Sequence, residues 1–244
     1  AETKTSQVNA DEFMSYFEPF LKQGKDILHV CLSSGISGVL NSAMVAKAEL
    51  EEKYPEVTYV RLNERGVGLA FREGIRLNRS DIVGYMDIDL STDLKYLGRT
   101  IKLFQKKPEL QYVNGSRFHR KSETRGRKWY RKITSMGLVF LLKAIFHMKA
   151  TDALCGFTFL RKEAADALVL QCSDDNGWFY TVEFLLRAER NGMVIYEMPV
   201  EWQEDYNTTV KVFKTIKNYI VQIYRLQRTF HREKQGKNDH VKKN

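Results

Sequence analysis

Short β-branched, apolar segments alternate with helix-patterned ones along most of this 244-residue chain, and that alternation leaves few folds open. Strand patterns occur at Asp26–Leu32 (DILHVCL), Val57–Leu62, Asp81–Met86 (DIVGYM), Leu110–Gly115, Cys155–Leu160 and Met193–Trp202. Helical spacing of apolar residues falls between them, at Ser37–Lys53, Gly68–Leu77, Leu94–Lys106, Lys128–His147, Lys162–Leu170 and Trp178–Asn191. Asp11–Gln23 also reads as a helix, with Pro19 arguing for a break, and a last helix spans about Val210 to Phe230. The pattern predicts an α/β fold built on a doubly wound, mostly parallel sheet. Such sheets take ligands at the carboxyl ends of their strands.

At one of those ends stands Asp87-Ile88-Asp89, directly after the apolar run DIVGYM. Alternation along an extended chain puts the two carboxylates on one side, roughly 6 to 7 Å apart. Two hard oxygen donors so placed suit Mg²⁺ or Mn²⁺, which in turn bridges to a diphosphate and neutralises charge on a departing group. The competing reading is a helix cap, for which Ser91, Thr92 and Asp93 are equally available.

Charge is uneven. The net +9 is concentrated between Arg117 and Lys132, where eight Lys or Arg accompany one acid, Glu123, and again from Arg225 to Lys243. A charge run can be a solvated face, or a surface for phosphate, anionic lipid or nucleic acid. No RNA- or DNA-reading motif accompanies it, so nucleic acid is not an expected partner. Cys31, Cys155 and Cys172 show no ligand-pair spacing and read as thiols of a reducing compartment. The longest apolar run, Met136 to Met148, is interrupted by Lys143 and His147 and is too short to span a bilayer. It suits a core helix or an interfacial one. With no signal peptide visible, the expectation is a cytoplasmic protein, at most peripheral to the membrane's inner face. The chain opens on Ala1 rather than methionine, as a partial or trimmed chain does.

Further segments fall in a telling order. Asn63–Asp89 (NERGVGLAFREGIRLNRSDIVGYMDID) is followed by Gly115-Ser116-Arg117, Arg131 with Ser135, and Asp152 with Cys155-Gly156-Phe157. Then come Gly177-Trp178-Phe179, Glu183 and Glu197-Met198-Pro199-Val200. Together, from about Val57 to Leu226, they resemble the inverting family-two glycosyltransferases, in particular the dolichyl- and polyprenyl-phosphate sugar synthases. The resemblance implies a GT-A-like (Rossmann-like) fold with an amphipathic C-terminal helix. It also implies a nucleotide-sugar donor, a polyprenyl-phosphate acceptor and Mg²⁺ or Mn²⁺.

By position it assigns metal and donor diphosphate to Asp87 and Asp89, and donor contacts to Arg65, Gly66 and Gly68. Acceptor phosphate goes to Arg117, Arg131 and Ser135, and catalysis to Asp89 and Asp152. For Asp152 a helix or turn cap is the plain alternative, and for Glu183 a surface glutamate. The chemistry is coherent, because Arg presents a planar fork to phosphate oxygens and an anionic phosphate attacks without a strong base. Some positions depart from the pattern. Ser91 stands where a Gln is frequent, Val67 where a Lys lies between the glycines, and Tyr206-Asn207-Thr208-Thr209 where an Arg-rich loop closes on donor phosphate.

The beginning is different again. Lys4–Glu56, with KTSQ and CLSSGISG, resembles an internal piece of the DegV fatty-acid-binding family. That resemblance implies contacts from Thr5 (or Ser6), Ser33 and Ser34 to a lipid carboxylate, although a tight strand-to-helix turn formed by Ser33, Ser34, Gly35 and Gly38 is the favoured reading of the segment. The expected organisation is therefore a chimera joined near Tyr54-Pro55-Glu56. Residues 1–56 supply the first strand-helix unit, 57–232 the transferase domain and 233–244 a disordered basic tail. The replaced first strand, lacking the usual nucleobase contacts, predicts impaired donor binding. Fatty-acid binding is the alternative function.

Overall fold

The computed structural model describes residues 9–22, 39–53, 62, 64, 66–87, 91–127, 129–203 and 212–241. Helix α1 (Ala10–Leu21) packs on α2 (Val39–Lys53). Asn9 and Glu12 cap α1 reciprocally, each side chain accepting the other's backbone N–H, at 2.8 and 2.9 Å. The helix passes through Pro19 and ends two residues later. The expected strands at Asp26–Leu32 and Val57–Leu62 lie outside the described residues, apart from Leu62.

The principal sheet has four strands in the order β1 (Ile82–Met86), β4 (Phe157–Arg161), β2 (Tyr112–Ser116), β5 (Ile195–Pro199). Strands β2 and β5 are parallel, whereas β4 runs antiparallel to both β1 and β2. Three strands thus share one direction and β4 opposes them. After β2 the chain passes through α5 (Trp129–Phe146) and enters β4 from the same end of the sheet at which it left β2, so β4 is reversed. Its consequence is local: Met86 pairs with Phe157 and Asn114 with Thr158. The start of β4 therefore lies between the carboxyl ends of β1 and β2.

Side-chain alternation distributes the core over both faces. Val83, Tyr112 and Leu160 point to one face, against α3 (Val67–Leu77), α6 (Lys162–Val169), α7 (Phe179–Arg190) and α8 (Val212–Val241). Val113, Phe157 and Phe159 point to the other, against α4 (Lys95–Lys106) and Trp202. Helix α7 is buried from Phe179 to Ala188 and forms the centre of the larger cluster.

Three elements depart from the expected layout. The segment Met193–Trp202 is two strands rather than one. Pro199 ends β5, and β6 (Glu201–Gln203) pairs instead with β3 (Glu123–Arg125) in a second small sheet. Strand β3 lies inside the basic stretch and was not expected. Helix α8 continues to Val241, past Arg232, where a disordered tail was expected. Glu233 secures that extension by pairing with Arg187 at 2.9 Å and Arg190 at 3.6 Å.

Candidate active site at the strand ends

The carboxyl ends of β1 and β2 and the start of β4 meet at one edge of the sheet. Asp87 follows β1, and its backbone N–H donates to Gly156 O at 2.9 Å. The Asp87 carboxylate lies directly on Gly156 Cα, where a Cβ would collide with both of its oxygens. Glycine is therefore required at 156 for this carboxylate to occupy its place. Gly115 is similarly close to Cys155 and Phe157, with a Cβ there coming within 2.8 Å of Cys155 Sγ. Asp89 falls outside the described residues, as does Arg65.

Arg117, the first residue after β2, is buried beside Asp87. Its Nε and Nη2 donate to the two oxygens of Asp152 at 2.7 and 2.9 Å, and its backbone N–H adds a third bond at 3.1 Å. The guanidinium stacks 4.9 Å from the centre of the Trp202 ring. Asp152 is 0% exposed. Burial alone would raise its pKa, but the Arg117 charge and the N–H groups of Leu154 and Arg117 hold it below the ordinary carboxylate value. Burial likewise opposes charge on Arg117, yet Asp152 raises its pKa further. Burial pushes the Cys155 thiol well above its ordinary value, which leaves it unreactive.

These facts bear on two expectations. Asp152 is fully buried and holds Arg117. It also accepts the Leu154 N–H at 3.0 Å, the contact that the turn-cap alternative calls for. Arg117 has Nε and Nη2 engaged by Asp152, which fixes the guanidinium at the end of β2. The turn after it is fixed by Ser116, whose Oγ accepts the N–H groups of Phe118 and His119 and bonds Thr151 Oγ1 at 2.6 Å.

Arg131 and Ser135 are one turn apart on α5, half buried. Arg127, which the sequence reading did not single out, joins them. Its Nη2 donates to Ser135 Oγ at 2.7 Å and to Arg131 O at 3.4 Å. Phe118 sits between the two arginine centres, with Arg117 at 5.5 Å and Arg127 at 5.6 Å from its ring. The basic stretch is thus folded into one locale beside Asp87. The spacing Arg127–Arg131–Ser135, i, i+4 and i+8, is the signal that would have found the missing residue.

The glycine turn has a different task. A Cβ at Gly66 or Gly68 would run into the backbone of Asn176 or Asp175, and Gly68 N donates to Asn176 O at 3.0 Å. Arg72 locks the same loop through Asp175 O at 2.7 Å and Asn176 Oδ1 at 2.6 Å. These glycines seat α3 against the 174–178 loop. Glu183 is buried, not a surface group. It accepts from Ser173 Oγ at 2.6 Å and Arg187 Nε at 2.8 Å within α7. Thr5, Ser33 and Ser34, the lipid-carboxylate candidates, lie outside the described residues. Among the described residues no group of three His, Cys, Asp or Glu side chains could hold a metal by itself.

The sequence profile of glycosyl transferase family 2 matches residues 20–169. The chain belongs to that family. Its match begins inside the segment 4–56, so most of that DegV-like stretch is counted within it. Among curated relatives, the glycosyltransferase AglD of Haloferax volcanii is 30% identical over 160 residues, 66% of this chain and 25% of that protein. The dolichyl-phosphate beta-glucosyltransferase ALG5A of Trichomonas vaginalis is 30% identical over 155 residues, 62% of this chain and 47% of its own length. A DegV domain-containing protein of Clostridium perfringens is also 30% identical over 151 residues, covering 51% of this chain and 52% of that protein. That is more of the chain than the N-terminal segment in which the resemblance is most evident. The chain spans between a quarter and about half of the length of these relatives.

Among solved structures, glucosyl-3-phosphoglycerate synthase from Mycobacterium tuberculosis in complex with phosphoglyceric acid superposes with a TM-score of 0.62. It is 14% identical and covers 93% of this chain and 77% of that one. The same enzyme with Mn²⁺, uridine diphosphate and glucosyl-3-phosphoglycerate gives 0.61 at 15% identity, with the same coverage. The family-two chain therefore has the GT-A-like α/β fold.

Proposed function

We propose that this family-two chain transfers a hexose from a nucleoside-diphosphate sugar to a polyprenyl phosphate of the dolichyl type, with inversion, at the cytoplasmic face of a membrane. The observation that carries the reading is Asp87, held at the carboxyl end of β1 by a glycine cradle and flanked by the Arg117–Asp152 pair. The names of two further proteins support the chemistry. ALG5A is a dolichyl-phosphate glucosyltransferase, and the mycobacterial synthase binds Mn²⁺ with uridine diphosphate.

Asp87 with Asp89 would hold Mg²⁺ or Mn²⁺ against the donor diphosphate. A carboxylate seated where only glycine leaves room fits such a role, and hard oxygen donors match both ions. The ion, when bound, neutralises negative charge on the departing nucleoside diphosphate. Arg131 and Ser135, with Arg127 added through its bond to Ser135, would hold acceptor phosphate. They orient an anionic oxygen toward the anomeric carbon, and positioning of this kind accounts for most of such catalysis. Buried Arg117 adds fixed positive charge beside Asp87 and ties the end of β2 to the turn before β4. We further propose that residues 1–56 supply the first strand-helix unit, with donor affinity lowered by its altered sequence. Binding of a fatty acid through Thr5, Ser33 and Ser34 is a second reading, favoured by the DegV-domain relative.

The test is transfer of labelled sugar from uridine- or guanosine-diphosphate hexose to polyprenyl phosphate in detergent, with and without chelator. Metal-dependent formation of a lipid-phosphate sugar is expected. Binding of fatty acid with no transfer from either donor would replace this reading with the second one.

A further inference from the structure

We infer that Trp202 is a positioning residue for donor binding: its backbone fixes the segment that follows Asp87-Ile88-Asp89, and its ring fixes Arg117. For its effect on binding this rests on the donor site proposed above. Trp202 is 8% exposed and stands in the middle of β6. Its backbone pairs with two segments at once. On one side it bridges to Thr92, and Gln203 N beside it donates to Ser91 O at 2.9 Å. On the other it pairs with Thr124 of β3, inside the basic stretch. Glu201 adds an ion pair to Lys95 at 2.6 Å and donates its N–H to Tyr96 Oη at 3.0 Å. The three residues of β6 thus hold positions 91 to 96, which follow the acidic pair almost directly.

The side chain reaches a third partner. Asp152 holds one edge of the Arg117 guanidinium through Nε and Nη2, and the Trp202 ring bears on it from another side, 4.9 Å from ring centre to guanidinium carbon. Arg117 is the fixed charge beside Asp87. One residue therefore touches the acidic segment, the basic stretch and the cation between them.

The polar atom of the ring takes no part in this. Among the described residues, buried Trp202 Nε1 has no hydrogen-bond partner. A buried indole N–H ordinarily finds one, and leaving it unpaired costs free energy. The N–H is thus not what seats the ring; the aromatic face is. That makes phenylalanine and leucine unequal substitutes. Phenylalanine keeps a face for Arg117 and removes the unpaired donor, whereas leucine removes the face as well.

The experiment is calorimetric titration of uridine and guanosine diphosphate with Mn²⁺ on the whole chain and on Trp202→Leu, Trp202→Met, Trp202→Phe and Phe104→Leu. A urea unfolding curve accompanies each variant, and either non-aromatic variant that unfolds cooperatively serves the comparison. Phe104 is buried in the same cluster as Trp202 but at the opposite end of the sheet, where Arg161 closes β4. The non-aromatic variants should lose about tenfold in nucleotide affinity, the scale of one well-placed cation–π contact with its charge displaced. Trp202→Phe should restore most of that affinity. Phe104→Leu should lose stability and keep affinity. Equal binding by the parent and the non-aromatic variants would overturn the inference and leave the donor site standing. A loss of the same size in Phe104→Leu would overturn it as well, because general destabilisation would then suffice. So would an equal loss in Trp202→Phe, which would assign the effect to the indole N–H. Binding of neither nucleotide by the parent would remove the donor site itself, and the inference with it.

Discussion

Ten residues separate Arg117 from Arg127, and the same basic run contains both, yet the fold uses them in opposite ways. Arg117 ends a buried strand and is clamped by Asp152 in the dry edge of the sheet. Arg127 opens the approach to α5, half buried, where it reaches Ser135 and flanks a helix with a bare apolar side. Sequence composition treats them alike. What differs is desolvation: a cation taken fully out of water must be matched by a carboxylate and further hydrogen bonds, whereas a half-buried cation at the rim needs less such matching. The first holds the end of β2 in shape; the second, in the function proposed above, would contact the acceptor phosphate.

The sharpest way to break this comparison is to remove one partner of the buried pair. Asp152→Ala or Arg117→Leu should cost about 3–5 kcal/mol in urea denaturation, because an uncompensated charge is left inside. Replacing both partners with Leu should recover much of that loss. Arg131→Ala and Arg127→Ala, by contrast, should change stability by about 1 kcal/mol or less.

Next in size is Gly156→Ala, whose Cβ displaces the Asp87 carboxylate. Metal-dependent nucleotide affinity should drop by about tenfold or more, equivalent to about 1.4 kcal/mol, in calorimetric titration. Retained affinity would mean that Asp87 does not need its glycine cradle. Smaller still, Arg127→Ala should raise the acceptor KM by roughly tenfold, the scale of one lost charge-assisted hydrogen bond, with the donor KM unchanged.

The least dramatic prediction concerns pH. The folded-state pKa of Asp152 is depressed, so its stabilisation is fully present above about pH 4, the unfolded value. It is lost as pH falls through the lower folded value. Thermal melts of Asp152→Asn should accordingly show a shallower acid limb than those of the parent.

Much of this was readable from the chain. The alternation of DIVGYM with its flanking helical patterns located β1 and α3 to within a residue or so, and the same run placed Asp87 at a strand end. Strand β3 was not readable, because Glu123-Thr124-Arg125 is exposed and carries no apolar pattern; it pairs with the edge that β6 offers. The burial of Arg117 was hidden for a related reason. Its partner lies 35 residues away and becomes a neighbour only through the antiparallel insertion of β4. Glu183 and Arg187 were visible as an i, i+4 pair, but not their burial in α7, which depends on packing from α8. The length of α8 was misjudged because its last turns are polar and their anchor, Glu233, pairs across the fold.

The central claim is that Asp87 and Asp89 form a metal-dependent donor site despite the altered beginning of the chain. Calorimetric titration of uridine and guanosine diphosphate in the presence of Mn²⁺, on the parent and on Asp87→Ala/Asp89→Ala, tests it most directly. The account predicts metal-dependent binding of one nucleotide by the parent and none by the double variant. Equal binding by both proteins, or no binding by the parent with either nucleotide, would contradict it.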